Sequence, residues 1–121
     1  MNAVFDTNIL IDYLNGSQKA RRELDAFETA HISLVSWMEV LVGTEEGDEE
    51  SVIREFLRRF EVYPVDAGVA ERAIDIRRRE KMRLPDAIIW ATAQHLGLVL
   101  VTRNTRDFPR NHPGVRIPYR T

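Results

Sequence analysis

Two short runs in this chain leave little freedom of fold. Ala3-Val4-Phe5 near the start and Leu98-Val99-Leu100-Val101 near the end are wholly apolar. Each is too short for a buried helix and offers no polar face to water. A strand that is apolar on both faces must be covered on both faces, which is the signature of a parallel sheet between helix layers.

Between these runs the apolar period becomes helical. Ile9, Leu10, Tyr13 and Leu14 share one helical face, and Gly16 ends that helix. Leu24 and Phe27 point inward from a second helix over 17–28. His31 to Val35 reads as a strand, and Trp37, Val40 and Leu41 as a helix running up to Gly43. Val52, Ile53, Phe56, Leu57 and Phe60 make a strongly amphipathic helix, and Val62 to Val65 a short strand. Asp66 caps a helix bearing Val69, Ala70, Ala73 and Ile74. Pro85 and Gly97 bracket the clearest helix, whose centre from Ala87 to Ala93 is apolar except for Thr92. Val115 to Ile117 reads as a last edge strand stopped by Pro118. The alternation predicts an α/β fold, a three-layer α/β/α sandwich with a mostly parallel sheet. At 121 residues the expectation is one domain over 1–121, with a single core.

Composition removes several function classes. There is no cysteine, hence no disulfide framework and no thiolate chemistry, as suits a reducing cytoplasm. The start M-N-A-V-F-D lacks the basic and apolar regions of a secretory signal. No apolar stretch approaches the roughly 20 residues that span a bilayer, so no membrane partner is expected. The net charge of −2 hides a separation of sign. Glu45 to Glu50 is acidic, while Arg72 to Arg83 and the tail with Arg103, Arg106, Arg110, Arg116 and Arg120 are basic. Such blocks are commonly solvated faces, and they also suit a protein offering a basic surface to a polyanion.

In parallel α/β sheets, ligands bind beyond the carboxyl ends of the strands. Asp6 ends the first strand, and Asp107 follows the last apolar strand in V-T-R-N-T-R-D-F. Glu39 and Asp86 are expected in the first turns of helices. A helix joining parallel strands runs antiparallel to them, so its N-terminus lies at that same rim. Each acid also has a purely structural explanation. Thr7 or Asn8 can cap a helix from Ile9. S-W-M-E fits a capping box in which Glu39 bonds back to the Ser36 N–H. Asp86 suits the helix macrodipole, and Asp107 can be a loop residue before Phe108-Pro109. Four such acids on one rim, three beside very apolar segments, together point to a cation, because crowded carboxylates cannot all stay ionised unaided. Oxygen donors without Cys, and with His31, His95 and His112 in no ligand spacing, indicate Mg²⁺ or Mn²⁺ rather than zinc.

Four segments, V-F-D-T-N-I-L-I-D-Y-L, S-L-V-S-W-M-E-V-L-V-G, L-P-D-A-I-I-W-A-T-A and L-V-T-R-N-T-R-D-F, resemble in this order the PIN domain. Within it they are most similar to the VapC-type toxins of bacterial and archaeal type II toxin–antitoxin systems. The resemblance spans essentially the whole chain, with Glu45 to Arg79 matching only in helical character. It implies a Mg²⁺- or Mn²⁺-dependent endoribonuclease that hydrolyses RNA phosphodiester bonds. The family's acidic cluster maps onto Asp6, Glu39 and Asp86, with Asp107 as the fourth acid. Asn104 stands where some members carry an acid and others an amide, so both Asn104 and Asp107 are candidates to complete the site. Asp6 and Asp86 are the expected direct metal ligands, with Thr7, Asn8, Thr102 and Asn104 orienting the carboxylates. The implied partners are the RNA substrate, a small VapB-like antitoxin whose tail enters the groove, and a second copy of the chain. The apolar helical face at Phe56, Leu57 and Phe60 agrees with such a homodimer.

Two rival readings share the architecture. Haloacid-dehalogenase-like phosphohydrolases also carry Asp after the first strand, but need a second acid two residues on, where this chain has Asn8. They and receiver domains also need a lysine near a late strand, and neither Lys19 nor Lys81 is so placed. A non-catalytic PIN-fold module for binding RNA or protein is the other rival, and the intact carboxylates argue against it.

Overall fold

The computed structural model describes residues 1–120. In chain order the elements are β1 (Asn2–Phe5), α1 (Thr7–Leu14), α2 (Gln18–Asp25), β2 (Thr29–Ser33), α3 (Leu34–Val42) and α4 (Asp48–Leu57). They continue with β3 (Glu61–Tyr63), α5 (Ala67–Glu80), α6 (Leu84–Leu96), β4 (Val99–Val101) and β5 (Val115–Arg116). The five strands form one sheet in the order β3-β2-β1-β4-β5, and every neighbouring pair is parallel.

This order places the helix layers. The chain steps outward from β1 through β2 to β3, then returns across the sheet to β4. Right-handed crossovers put the helices of the outward run on one face and those of the return run on the other. Accordingly, Ala3, Phe5, Ile32 and Val101 pack with residues of α1 to α4, while Val4 and Leu100 pack with α5 and α6. Val4 and Phe5 are adjacent, point to opposite faces and are both fully buried. The three-layer sandwich is therefore as expected, with a sheet that is parallel throughout.

Several boundaries differ from the expectation for identifiable reasons. Asp6 itself caps α1, accepting from the Thr7 N–H, so the helix begins at Thr7 and not at Ile9. α3 begins at Leu34 with Ser33 as its cap, so the strand expected to run to Val35 ends two residues earlier, at Ser33. Glu39 therefore sits in the second turn, and Ser36 is an interior helix residue. The capping box between them does not form. α2 stops at Asp25, and Phe27 instead turns its ring edge-on to Phe5 at 5.3 Å. β3 ends at Tyr63 because Pro64 has no N–H to donate to a ladder.

The two charge blocks also have local explanations. Asp48, Glu49 and Glu50 occupy the first turn of α4, and Arg77, Arg78 and Arg79 the last turn of α5. Each sign complements the partial charge of its helix end. The apolar face of α4 is absorbed internally. Leu57 and Phe60 are 2% and 6% exposed, and Phe56 stacks on Tyr13 at 4.9 Å. That face therefore supplies no argument for a dimer.

α5 closes on Lys81 with φ 57° and ψ 25°, the left-handed region that suits glycine. A side chain there costs about 1 kcal/mol or more. Lys81→Gly is expected to stabilise the chain by about 0.5–1 kcal/mol, read as a rise in the denaturation midpoint with unchanged slope. A lowered midpoint would show that the Lys81 side chain makes stabilising contacts.

Candidate metal and active site

The crossing from the outward to the return run falls between β1 and β4, and their connections lead away from each other there. A crevice opens at such a switch point. Asp6 stands at its floor, just past β1, and its N–H bonds the Val101 carbonyl of β4 at 2.9 Å. Asp6 Oδ1 accepts from the Thr7 N–H at 2.7 Å. Oδ2 accepts from the Thr102 hydroxyl at 2.7 Å and from Asn8 Nδ2 at 3.2 Å. The residue is 3% exposed. Burial pushes its carboxyl from an ordinary 3.8 up to about 6, against the Thr102 and Thr7 hydrogen bonds and aided by the charges of Asp86 and Glu39.

Glu39 reaches the crevice from α3. Thr7 donates its hydroxyl to Glu39 Oε1 at 2.7 Å. The same hydroxyl lies 2.8 Å from Ser36 Oγ. Having one proton, it gives that proton to the carboxylate, so Ser36 supplies the second. Ser36 and Glu39 are three apart on one helix and share a face, which is what lets both meet Thr7.

Asp86 enters from the first turn of α6. Its Oδ2 is buried without a hydrogen-bond partner, the one such side-chain atom among the described residues. The exposed Arg83 guanidinium stands 3.8 Å from that oxygen. Desolvation raises the Asp86 carboxyl above its ordinary value; Arg83 opposes this, and Asp107 and Glu39 add to it. Asn104 faces the same crevice, whereas Asp107 lies behind it in an adjoining pocket. Asn104 Nδ2 donates to Asp107 Oδ2 at 2.9 Å, and Asn104 Oδ1 accepts the Arg106 and Asp107 N–H groups. The Asn104 N–H in turn bonds Thr102 Oγ1 at 3.1 Å.

The crevice has a volume of about 620 Å³ and holds Asp6, Thr7, Asn8, Glu39, Asp86 and Asn104 at its polar end. Residues 3–112 match the family model of the PIN domain. The chain belongs to the PIN-domain family. It is 32% identical over 118 residues to a tRNA(fMet)-specific endonuclease VapC of Shigella flexneri, covering 88% of this chain and 89% of that protein. It is 34% identical over 112 residues to ribonuclease VapC10 of Mycobacterium tuberculosis, covering 86% and 84%. Among solved structures it matches a toxin–antitoxin complex from Klebsiella pneumoniae with a TM-score of 0.92 and 45% identity, covering 98% of this chain and 99% of that one.

In this PIN fold the residues expected at the site from the sequence do meet around one crevice, apart from Asp107 and the buried Thr102 hydroxyl, which stand directly behind it. None of the three histidines lines it. Among the described residues no three acids or histidines converge tightly enough to enclose an ion. Magnesium does not need such a cage, since it keeps several waters and takes one or two carboxylates. The unpartnered Asp86 oxygen facing a desolvated Asp6 fits that kind of donor set. Ser36, Arg83 and the apolar wall of Ile11, Met38 and Val42 were not singled out in the sequence. For Ser36 the signal was present, as its spacing from Glu39 puts both on one face.

The raised Asp6 carboxyl has a consequence for stability with a definite sign. Its folded value lies above the unfolded one, so its favourable contribution is complete below about 3.8 and is lost as pH rises through about 6. The amount is on the order of 3 kcal/mol. In EDTA, thermal melts of the wild type are expected to rise from pH 8 to pH 5, and Asp6→Asn to flatten that slope while melting no lower than the wild type at pH 8. Parallel slopes for the two proteins would show that Asp6 is not the strained group.

Proposed function

We propose that this PIN-domain chain is a divalent-metal-dependent endoribonuclease and the toxin of a toxin–antitoxin pair, working in the cytoplasm. The observation that carries the reading is the desolvated carboxylate of Asp6 beside the unpartnered buried oxygen of Asp86. Together they leave negative charge that a hard cation would neutralise. Asp6 and Asp86 would hold Mg²⁺ or Mn²⁺. A bound ion of this kind lowers the pKa of water and withdraws charge from a phosphate.

The chain's own residues have distinct tasks in this reading. Thr102 and Asn8 fix Asp6. Thr7 fixes one oxygen of Glu39 and leaves the other to orient the attacking water and take its proton. That water's oxygen bonds to phosphorus, the ester P–O bond opposite it breaks, and the departing oxygen takes a proton from solvent to leave as a hydroxyl. Asp107 acts through Asn104, which it holds at the crevice, and through its charge on Asp86. The names of the Shigella and Mycobacterium relatives support ribonuclease activity. The Klebsiella complex supports an antitoxin as partner. The crevice wall is compatible with one: Met38 and Val42 are 45% and 86% exposed beside the carboxylates, an apolar strip that a partner segment with one cation would cover. A homodimer belongs to the same reading. Among the described residues no helix is long and apolar enough to cross a membrane.

Purified protein is expected to cleave RNA with Mg²⁺ or Mn²⁺, to stop in EDTA, and to lose activity in Asp6→Asn and Asp86→Asn. Thr102→Val is expected to weaken metal affinity by about 10–100-fold. Mn²⁺ at a hundredfold excess over its dissociation constant should stabilise the wild type by about 2.7 kcal/mol, and Asp6→Asn far less. RNA binding with no cleavage under either metal would instead favour the non-catalytic module. Sedimentation at micromolar concentration showing monomer alone would remove the homodimer.

A further inference from the structure

Beside the acidic crevice the surface changes sign. The pocket behind Asn104 has a volume of about 390 Å³ and carries Arg83, Arg103 and Arg106 against one acid, Asp107. A second pocket of about 410 Å³ lies between α2 and the C-terminal segment, formed by Lys19, Arg22, Glu23, Pro118, Tyr119 and Arg120. One carboxylate joins the two. Asp12 on α1 accepts Arg103 Nε at 2.5 Å and Nη2 at 3.1 Å, and accepts the Tyr119 hydroxyl at 2.8 Å. Arg103 belongs to the first pocket and Tyr119 to the second, so the two pockets are linked through this carboxylate.

Among the described residues the second pocket lacks a free internal counter-charge. Its one acid, Glu23, is buried under Arg116, which donates Nε and Nη2 to it at 2.5 and 2.9 Å. Lys19, Arg22 and Arg120 have no carboxylate within 4.0 Å among the described residues, whereas Arg54, Arg58, Arg59 and Arg79 are each paired. Lys19 and Arg22 are three apart on one short helix, a like-charge spacing that is locally destabilising. An anion between them would relieve that repulsion.

We propose that one flank of the RNA leaves the crevice over Arg103 and Tyr119 and seats its phosphates in the pocket of Lys19, Arg22 and Arg120. The inference rests on the ribonuclease reading for what occupies the crevice. It adds the direction in which the strand runs and the residues that hold it. These contacts are to the backbone and carry no base preference, because lysine and arginine side chains there meet phosphate charge and not base edges. They extend the site to substrates longer than the crevice, and they tighten binding without touching the carboxylates.

The test compares the wild type with Lys19→Ala/Arg22→Ala/Arg120→Ala and with the charge-keeping Lys19→Arg/Arg22→Lys/Arg120→Lys. Anisotropy in EDTA measures binding of a fluorescent single-stranded RNA of about 20 nucleotides across salt concentrations. Cleavage of the same RNA and of a trinucleotide is followed with Mn²⁺. The alanine variant is expected to bind the long RNA at least tenfold more weakly, with a salt slope shallower by about 2, and to raise its KM while leaving kcat and trinucleotide cleavage unchanged. The charge-keeping variant should restore all of these. Wild-type affinity and salt slope in the alanine variant would overturn the proposal, as would a loss that the charge-keeping variant fails to restore. If the wild type cleaves nothing while the alanine variant loses binding, the nuclease reading falls and the RNA track stands. Cleavage with unchanged binding removes the track alone.

Discussion

The whole site depends on one buried carboxylate at the tip of β1. Asp6 is bonded to Thr102, 96 residues away, and that contact exists only when β1 pairs with β4. Its N–H completes the same pairing by bonding Val101. The site is therefore a product of the central strand pair and cannot form ahead of it. The hydrogen bonds from Thr102 and Thr7 offset only part of the desolvation, and the nearby charges of Asp86 and Glu39 add to it. A strand tip selected for stability alone would not carry this acid. A desolvated acid at this position supports the proposed metal site.

Much of the fold was legible because the strands are apolar on both faces and the helix ends carry strong punctuation. Val4, Leu100 and the glycines at 16 and 97, both with positive φ, behave as their sequence context implies. The start of α3 was not legible. Ser33-Leu34-Val35-Ser36 has the look of a strand, and only the Ser33 cap and the packing of α3 against α1 convert it to helix. That single shift moved Glu39 from a first turn to a second and removed its capping role. The acid rim itself could be read, because the connection rule brings strand ends and helix starts to one edge. The Thr7–Glu39 bond depends on how two helices pack, and the Asp12 network joins residues 91 and 107 positions apart. No local pattern encodes either.

The charges most visible in the sequence are also not the charges that shape the site. The acidic block at α4 and the arginines at the end of α5 serve their own helix ends. The influential acids are isolated in the sequence; Asp6 is buried and Asp86 half-buried in the structure, where a lower dielectric makes each charge count for more. The cations of the second pocket come from distant parts of the chain. Lys19 and Arg22 lie in a short helix that is unremarkable by composition, and Arg120 comes from the far end of the chain.

Asp6 and Asp12 show how a single helix can carry two carboxylates with opposite fates. They are six residues apart, at the cap and in the body of α1. Asp12 has its cation inside the chain, a guanidinium held by two bonds and backed by the Tyr119 hydroxyl. It serves as a fixed strut. Asp6 has only neutral donors, and its nearest charged neighbours are other acids. The two are mechanically connected, since the Arg103 N–H bonds Asn8 Oδ1 and Asn8 bonds Asp6. The strut thus holds the loop that holds Asp6, while the charge of Asp6 is left for something outside the chain to neutralise. An arrangement that satisfies one carboxylate and withholds a cation from the next separates the group that positions from the group proposed to bind the metal.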